Sequence, residues 1–432
     1  MEASIFKDFI SKYLGGIAKK ITEKMNGKAE EVVYEHKKYL KKEFSPDMKF
    51  TSLSTNTSVV AADVVALDSE LPLKKRGSYA AAEGEIPKLG MIKSLTESAL
   101  QALKNLKARG QKEAQIVTKL FQDAADSVKG IYERLDIMFL QAMSTGVTLI
   151  DANNNTGTGV RIDFGIPTGN QFGVQLPWTD ANAKPIDDIE NVTNKARAKG
   201  YSLKYIWMDK VTYNAFKANS QVKEAFAGFL KTNSSYIFRI KNEELQAFMS
   251  EEFGLNIIVI DKVSQIEKGG AKVAVEPWQR GNVTFTTSTD LGTITYGELA
   301  EVEHPVKDVE YSTVDDFILV SLFRTNNPLK ENTSVQALVL PVLDNTDSIF
   351  IMDTNEATAS EDVQTEGDAN YSYKGTDYTK ASVVAGINAA REVDTQVAMA
   401  TISQLDATLA KKIDSLSEEG IVLFKAELVA SA

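Results

Sequence analysis

The longest periodic stretch of the sequence runs from Gln111 to Met143, and it limits what the rest of the chain can form. Apolar residues recur three and four positions apart along it, which predicts one amphipathic helix. These residues are Val117, Leu120, Phe121, Ala124, Val128, Ile131, Tyr132, Leu135, Met138 and Ala142. At a rise of about 1.5 Å per residue, the helix would be roughly 50 Å long. A helix of that length with one apolar stripe is expected to lie across a sheet.

The segments after this helix alternate between strand and helix patterns. VTLID (147–151) and VRIDFGI (160–166) are joined by ANNNTGTG, which predicts a hairpin. From 181 to 262 strands alternate with helices, as in a mixed α/β unit, and NIIVID (256–261) has the unbroken apolar run of a buried strand. From Val273 onwards strand patterns dominate. The predicted fold class is α+β.

The start of the sequence differs from this middle part. Residues 1–44 predict a slightly basic helical region that ends at Ser45-Pro46, because the residue before a proline is pushed out of the helical conformation. The Thr- and Ser-rich TSLSTNTS (51–58) predicts an extended linker.

The other end is strongly acidic. Residues 344–432 hold 16 acidic and 6 basic residues, a net charge of −10 in a chain whose total is −11. This asymmetry predicts a separate, well-solvated unit. Its patterns predict strands near 348–353 and 371–379, one helix over about 380–416 and a final strand over 419–429.

Residue usage removes several classes of chemistry. The chain has no cysteine, which excludes disulfides, thiolate nucleophiles and cysteine zinc sites. Its two histidines are His36, which EHKKYLKK places on a solvated helical face, and His304, which precedes a proline. Neither a GxxxxGK[ST] phosphate loop nor a GxGxxG after a strand occurs. We therefore predict no catalytic residue, no metal site and no cofactor.

Two acidic motifs could carry chemistry, and each has a simpler structural explanation. DANNNTGTG (151–159) begins like a calcium loop, but Thr156 and Ile162 occupy the positions that require glycine and glutamate, and a hairpin turn explains the motif better. Asp187 and Asp188 could form a carboxylate pair for acid–base catalysis. They lie, however, in the predicted first turn of a helix, where the helix dipole favours negative charge.

The segment VVALDSELPLKKRGSYAAAEGEIPKLG (64–90) has two arms around a basic tip. Little within it could form a core, so we predict a projecting hairpin that packs on something else. Its mixed charges suit docking onto another subunit better than binding nucleic acid, because Tyr79 alone offers an aromatic ring nearby. The predicted subunit-interface residues are Glu70, Lys74, Lys75, Arg76, Glu83 and Glu85.

Taken in order, several segments resemble the major capsid protein of tailed bacteriophages, in the lambda E-type family with the Hong Kong 97-type fold. ELPLKKRGS…GEIPKLGMIKSLTE resembles that family's extended loop leading into its spine helix. LPWTDANAKPIDDIE resembles the entry to its axial domain, and KYIWMDKVTYNAFKANSQVKEAF resembles the strand and helix that follow. VAVEPWQRGNVTFT and LGTITYGEL are similar to its later strands. The resemblance covers about residues 58–343.

The resemblance implies a division of the chain into six parts. They are an N-terminal helical arm (1–57), the extended β-hairpin loop (58–93), the spine helix and peripheral domain (94–180), the axial domain (181–295), the peripheral-domain return strands (296–343) and an acidic C-terminal extra domain (344–432). The last part lies outside the family core. Its charge predicts that it decorates the outer surface of a shell or bridges capsomers.

The resemblance also implies a structural function rather than an enzymatic one. Copies of the chain would form the hexamers and pentamers of an icosahedral head that encloses double-stranded DNA without sequence-specific binding. Assembly would take place in the host bacterial cytoplasm, with no membrane involved, and portal, scaffolding, decoration or head-auxiliary proteins would be further partners. Two alternatives remain open: an encapsulin-like nanocompartment shell of the same fold, and an α/β enzyme that uses Asp187, Asp188 or His304.

Overall fold

The computed structural model describes residue 16 and residues 34–55, 79–108, 113–150, 160–232, 239–268, 271–357, 370–374, 376–391, 393–394, 397–401, 404 and 406–430. The fold divides into two compact units. The first takes its described residues from Met1–Ser52, Glu83–Phe139 and Gly292–Val342. The second takes them from Leu53–Ala82, Leu140–Leu291 and Leu343–Ala432. Both units are therefore built from segments that lie far apart in the sequence.

Helices and strands alternate along most of the chain. The helices are α1 His36–Tyr39, α2 Glu97–Ala108, α3 Glu113–Thr145, α4 Pro185–Ala198, α5 Lys210–Ala218, α6 Ser220–Phe229, α7 Asn242–Glu252, α8 Ala300–Glu303, α9 Lys380–Ala390, α10 Asp406–Asp414 and α11 Glu418–Ala426. The strands are β1 Leu40–Phe44, β2 Lys49–Thr55, β3 Tyr79–Glu85, β4 Lys88–Thr96, β5 Val147–Ile150, β6 Val160–Asp163, β7 Gln171–Val174, β8 Tyr205–Asp209, β9 Asn256–Ile260, β10 Ser264–Lys268, β11 Ala271–Val275, β12 Asn282–Thr286, β13 Gly292–Gly297, β14 Glu310–Val314, β15 Ile318–Thr325, β16 Lys330–Leu343, β17 Phe350–Ala357, β18 Asn370–Tyr373 and β19 Thr376–Thr379. The predicted α+β class is confirmed.

The first unit is built on a six-stranded sheet with the order β1-β13-β16-β15-β14, and β4 pairs antiparallel with β16. The predicted long helix is α3, which buries Val128, Tyr132 and Leu135 at the expected spacing. The helix comes close to β4, because a Cβ built on Gly130 would lie 2.8 Å from Met91 Sδ. α3 therefore lies against the sheet, as the single apolar stripe predicted.

The second unit contains a five-stranded sheet with the order β7-β17-β12-β8-β9. β8 and β9 are parallel, while β12 runs antiparallel to both β8 and β17. Side chains from α4, α5, α6 and α7 pack with this sheet in one hydrophobic core. Local capping fixes where α5 begins, since the Asp209 carboxylate accepts hydrogen bonds from Val211 N at 2.8 Å and Thr212 N at 3.0 Å.

The C-terminal acidic segment does not form a unit from its first residue. β17, which the sequence placed in that segment, lies inside the five-stranded sheet between β7 and β12. Phe350 and Met352 on β17 are completely buried in its core. A second core, running from Tyr371 to Phe424, joins α9, α10 and α11. A separate core therefore begins only after β17.

Three expectations about the N-terminal part and the sheet edge are wrong. Residues 40–44 and 49–55 are strands rather than helix and linker. The strand conformation of residues 40–44 depends on pairing with β13. β1 lies parallel to β13, with Leu40 opposite Gly292 and Phe44 opposite Tyr296. NIIVID is not a buried strand, since β9 is the edge of its sheet and Val259 is 37% exposed.

Two expectations about the C-terminal part are also wrong. The predicted helix over 380–416 is two helices, α9 and α10, and the Asn388 side chain ties the chain between them by bonding Ala400 N at 2.8 Å and Ala400 O at 3.0 Å. The predicted final strand is the helix α11. Ser417 caps it by accepting from Gly420 N at 3.0 Å, and Glu418 and Glu419 lie in its first turn.

Candidate assembly surface

The predicted extended loop has a described base. Its second arm is β3, which pairs with β2 in a two-stranded ribbon that we call the arm ribbon (Lys49–Thr55 and Tyr79–Glu85). Ile86 N donates to Met48 O at 3.0 Å and closes the base of the ribbon. Phe50 is 3% exposed and packs so closely that a Cβ on Gly84 would lie 2.8 Å from its ring. The described part of the ribbon begins at Lys49, and the predicted bounds of the loop, 58–93, stay a prediction.

The structure brings together two of the six predicted interface residues. Glu83 and Glu85 are both exposed and lie two residues apart on β3, so their side chains share one face of the ribbon. Neither carboxylate forms an ion pair within the described residues. The other four predicted interface residues lie outside the described residues; they are Glu70, Lys74, Lys75 and Arg76.

A buried polar centre that the sequence analysis missed fastens residues 34–44, which we call the N-terminal strap. His36 and Asp136 of α3 are both fully buried. His36 Nδ1 lies 2.5 Å from Asp136 Oδ1, and the same carboxylate accepts from His36 N at 3.0 Å and Glu35 N at 3.2 Å. His36 is therefore a buried anchor rather than a residue of a solvated face.

A second carboxylate, Asp315, holds the strap from the β14–β15 turn. Tyr132 Oη donates to it at 2.6 Å, Lys37 Nζ lies 2.9 Å from it and Lys42 Nζ lies 2.6 Å from it. Burial opposes ionisation of Asp315, but the charge of Lys37 and the hydrogen bonds from Lys42 and Tyr132 outweigh it and hold the pKa below its ordinary value. Burial raises the pKa of the Tyr132 hydroxyl, which stays a donor.

The turn that carries Asp315 needs an unusual backbone. Asp315 and Asp316 have φ angles of 56° and 74°, so both occupy the left-handed region that few residues other than glycine adopt. The loop between the paired residues Val314 and Ile318 holds three residues, and the two with positive φ reverse the chain between β14 and β15. The turn presents Asp315 to the strap and Asp316 to Lys42, at 2.7 Å.

The enzyme alternative would use Asp187, Asp188 or His304. The contacts of the two aspartates are structural, and none of the three residues has a partner that suggests catalysis. Asp188 is buried and accepts from Trp178 Nε1 at 3.0 Å, and burial raises the pKa of its carboxyl group. Asp187 accepts from Gln221 Nε2 at 2.6 Å, which joins α4 to α6. His304 is exposed at the end of α8. The structure does not assemble these three residues with a nucleophile in the part of the chain that it describes.

The described residues hold no group of three or more acidic or histidine side chains placed to bind a metal ion. None of their helices combines the length and the apolar character needed to cross a membrane. The calcium-like DANNNTGTG motif lies outside the described residues.

Comparison with known proteins identifies the family. The model of the family described as phage major capsid protein E matches residues 48–354. The chain belongs to this family. The match begins at the arm ribbon and ends inside β17, so the family region is wider than the predicted 58–343 and includes the strand that lies within the five-stranded sheet. The family that the sequence motifs resembled is confirmed.

Solved structures similar to the chain include capsid proteins. The crystal structure described as the capsid protein of a prophage of E. coli CFT073 has 12% identity and a TM-score of 0.47, covering 82% of this chain and 99% of that chain. The capsid asymmetric unit of cyanophage A-1(L) has 12% identity and a TM-score of 0.41, covering 76% and 95%. The holo encapsulin complex from Synechococcus elongatus PCC 7942 has 9% identity and a TM-score of 0.37, covering 74% and 87%. No curated protein sequence matches the chain.

Proposed function

We propose that this chain is the major subunit of a phage head, and that its copies assemble into an icosahedral shell enclosing double-stranded DNA. The observation that carries the proposal is the family match over residues 48–354, which takes in the arm ribbon, α3 and all five strands of the second unit's sheet except the end of β17. The subunits would close into hexamers and pentamers through heterologous contacts, in which one patch of a subunit meets a different patch of the next.

We propose that the arm ribbon is one of these contacts and lies over a neighbouring subunit. A two-stranded ribbon is at best marginally stable alone and needs packing from elsewhere. Glu83 and Glu85 place two carboxylates on one of its faces that form no ion pair with a described residue, and the basic tip Lys74–Arg76 belongs to the same loop. Complementary charges of this kind fix the register of a contact more than they add affinity.

For the acidic C-terminal segment we propose a place on the outside of the shell. The part with its own core, from Tyr371 to Phe424, lies beside the main sheet, where Val397 and Met399 line a cavity together with Ile351 of β17. The segment's excess of acidic residues lies mainly in residues 344–370, which hold eight acidic and no basic residues. This excess would be repelled by packaged phosphate, which favours a position away from the DNA. Portal, scaffolding and decoration proteins stay predicted partners.

Electron microscopy of the purified chain expressed alone tests the central proposal. We expect regular shells, tubes or rings of capsomers, because the assembly information of such a subunit lies in its own surfaces. A protein that stays monomeric at high concentration would contradict it. Particles from the native source distinguish a phage head from a nanocompartment, since the first contains DNA and the second a protein cargo.

A charge reversal tests the role of the arm. Replacing Lys74, Lys75 and Arg76 by Glu should reduce the yield of shells severalfold without lowering the unfolding temperature, because the tip is predicted to contact another subunit and not its own core. The matched control, which changes the charge equally, replaces Lys231, Lys307 and Lys425 by Glu; all three are exposed. Equal shell yields for the two variants would remove the arm from the proposal.

A further inference from the structure

An open cavity of about 390 Å³ lies in the second unit, where β8 and β9 begin. Its walls come from the end of α4, the segment that leads into β8 and the segment between α7 and β9. Arg197 and Lys204 line it together with the hydroxyl-bearing Ser202, and all three are exposed. The volume is at the small end of the range of about 300–1,000 Å³ that ligand pockets span.

Neither cation in this cavity has a partner among the residues that the structure describes. Neither Arg197 nor Lys204 forms an ion pair or a side-chain hydrogen bond with a described residue, and no acidic side chain is among the described residues that line the cavity. By contrast, nearby Lys199 is engaged, since its Nζ donates to Asn170 Oδ1 at 2.6 Å. The cavity therefore collects positive charge that nothing in its walls neutralises.

The end of α4 does not explain these cations. A basic residue in a last turn can satisfy free carbonyl groups and the helix dipole. Here the backbone does so already, since Tyr201 N donates to Ala196 O at 2.9 Å and Gly200 N donates to Arg197 O at 2.9 Å. Gly200 has a φ of 87°, the left-handed conformation that commonly ends a helix. The Arg197 guanidinium is therefore available to an outside group.

We propose that this cavity receives a carboxylate side chain from a second copy of the chain, held by Arg197 and Lys204. This inference rests on the proposed function and names a further contact between subunits. A guanidinium forms paired hydrogen bonds with a carboxylate, and a neighbouring ammonium adds a point charge. Copies of this chain supply such groups, because each carries 59 acidic residues against 48 basic ones.

A protein carboxylate fits the cavity better than nucleic acid does. Single-stranded nucleic acid binds by stacking its bases on free aromatic rings. The two rings that line the cavity are already engaged, Tyr201 against Phe350 with centroids 5.9 Å apart and Phe253 against Phe248 with centroids 5.6 Å apart. A flexible acidic side chain can enter a concave site, whereas a duplex presents its phosphates on a convex surface.

Zero-length cross-linking tests the contact. Shells assembled from equal amounts of unlabelled and ¹⁵N-labelled chains are treated with a carbodiimide, which joins a carboxylate to a lysine amine only where the two already touch. We expect peptides in which Lys204 of one label is joined to an Asp or Glu of the other label. Lys231, which is exposed but does not line the cavity, is the internal control and should give severalfold fewer such links.

The variant Arg197→Gln/Lys204→Gln supplies a second readout. It should form shells that dissociate at severalfold lower salt than wild-type shells, while Lys231→Gln shells should behave as wild type. Two results would overturn the inference and leave the proposed function standing. In the first, Lys204 gives no intermolecular link in assembled shells. In the second, Lys204 is protected from reaction only when DNA is packaged. If the wild-type chain forms no assembly at all, the proposed function fails and this inference fails with it.

Discussion

Burying a histidine and an aspartate side chain together removes two polar groups from water, and the surroundings of Asp136 show how that cost is offset. Its carboxylate accepts the His36 ring and two backbone N–H groups of the strap. These three hydrogen bonds replace those that the carboxylate would have made with water. The arrangement fixes the path of the chain from Glu35 into β1.

Removing that carboxylate should release the strap. In Asp136→Ala the His36 ring and two backbone N–H groups lose their acceptor, and leaving a buried donor unsatisfied typically costs about 1–3 kcal/mol. We expect a loss of that order, measured as faster hydrogen exchange of the amides of Leu40–Phe44. Asp126→Ala on the same helix is the control, because Asp126 is exposed and its ion pair with Lys93 at 3.6 Å is worth about 0–1 kcal/mol. Equal effects of the two changes would contradict the anchoring role.

At the scale of the elements, periodicity identified those whose partners are local or whose apolar stripe is long. The predicted bounds of α3 and of the β5–β6 hairpin agree with the structure to within a few residues. It failed where a distant partner decides the conformation, as for β1, which has a lysine-rich sequence but completes a ladder with β13. Periodicity also failed at α11, because the apolar run IVLF has no helical spacing. The helix start is marked instead by Ser417 and the two glutamates that follow it.

A pair of glycine substitutions tests how closely two C-terminal helices pack. A Cβ on Gly386 of α9 would lie 2.7 Å from the Phe424 carbonyl oxygen and 2.8 Å from its ring, so Gly386→Ala must push α11 away. We expect a destabilisation of about 1–3 kcal/mol. A Cβ on Gly228 of α6 would have no neighbouring atom within 4 Å, so Gly228→Ala should stabilise the fold by about 0.5–1 kcal/mol. Hydrogen exchange of α9 and α6 measures both, and a stabilising Gly386→Ala would show that the helices do not pack this closely.

At the scale of the whole molecule, the order of motifs was more informative than any single motif. The family could be predicted from that order, whereas the interface role of Glu83 and Glu85 stays a prediction. The partners of His36 could not, because Asp136 lies 100 residues away and nothing in EHKKYLKK indicates burial. The cavity with Arg197 and Lys204 was equally hidden, since it forms only where the ends of α4 and α7 meet the starts of β8 and β9.

Two truncations test which residues the second unit needs. A chain that ends at residue 357 keeps β17 and should retain the five-stranded sheet. A chain that ends at residue 343 loses Phe350 and Met352 from the core, at about 2–5 kcal/mol each, and loses the strand between β7 and β12. That total is comparable to the whole stability of a typical domain, about 5–15 kcal/mol. We expect the shorter chain to be insoluble or unfolded by circular dichroism; equal folding of both would show that β17 is dispensable.

The place of β17 also sets the order in which the subunit can be completed during synthesis. β8 ends at residue 209 and β17 at residue 357, so 148 further residues must be translated before β12 gains its second neighbour. At about 5–20 residues per second, that interval is roughly 7–30 s. Until then β7 has no strand beside it in the sheet. The five-stranded sheet can therefore be completed only after residue 357 has been translated, although four of its five strands lie before residue 287.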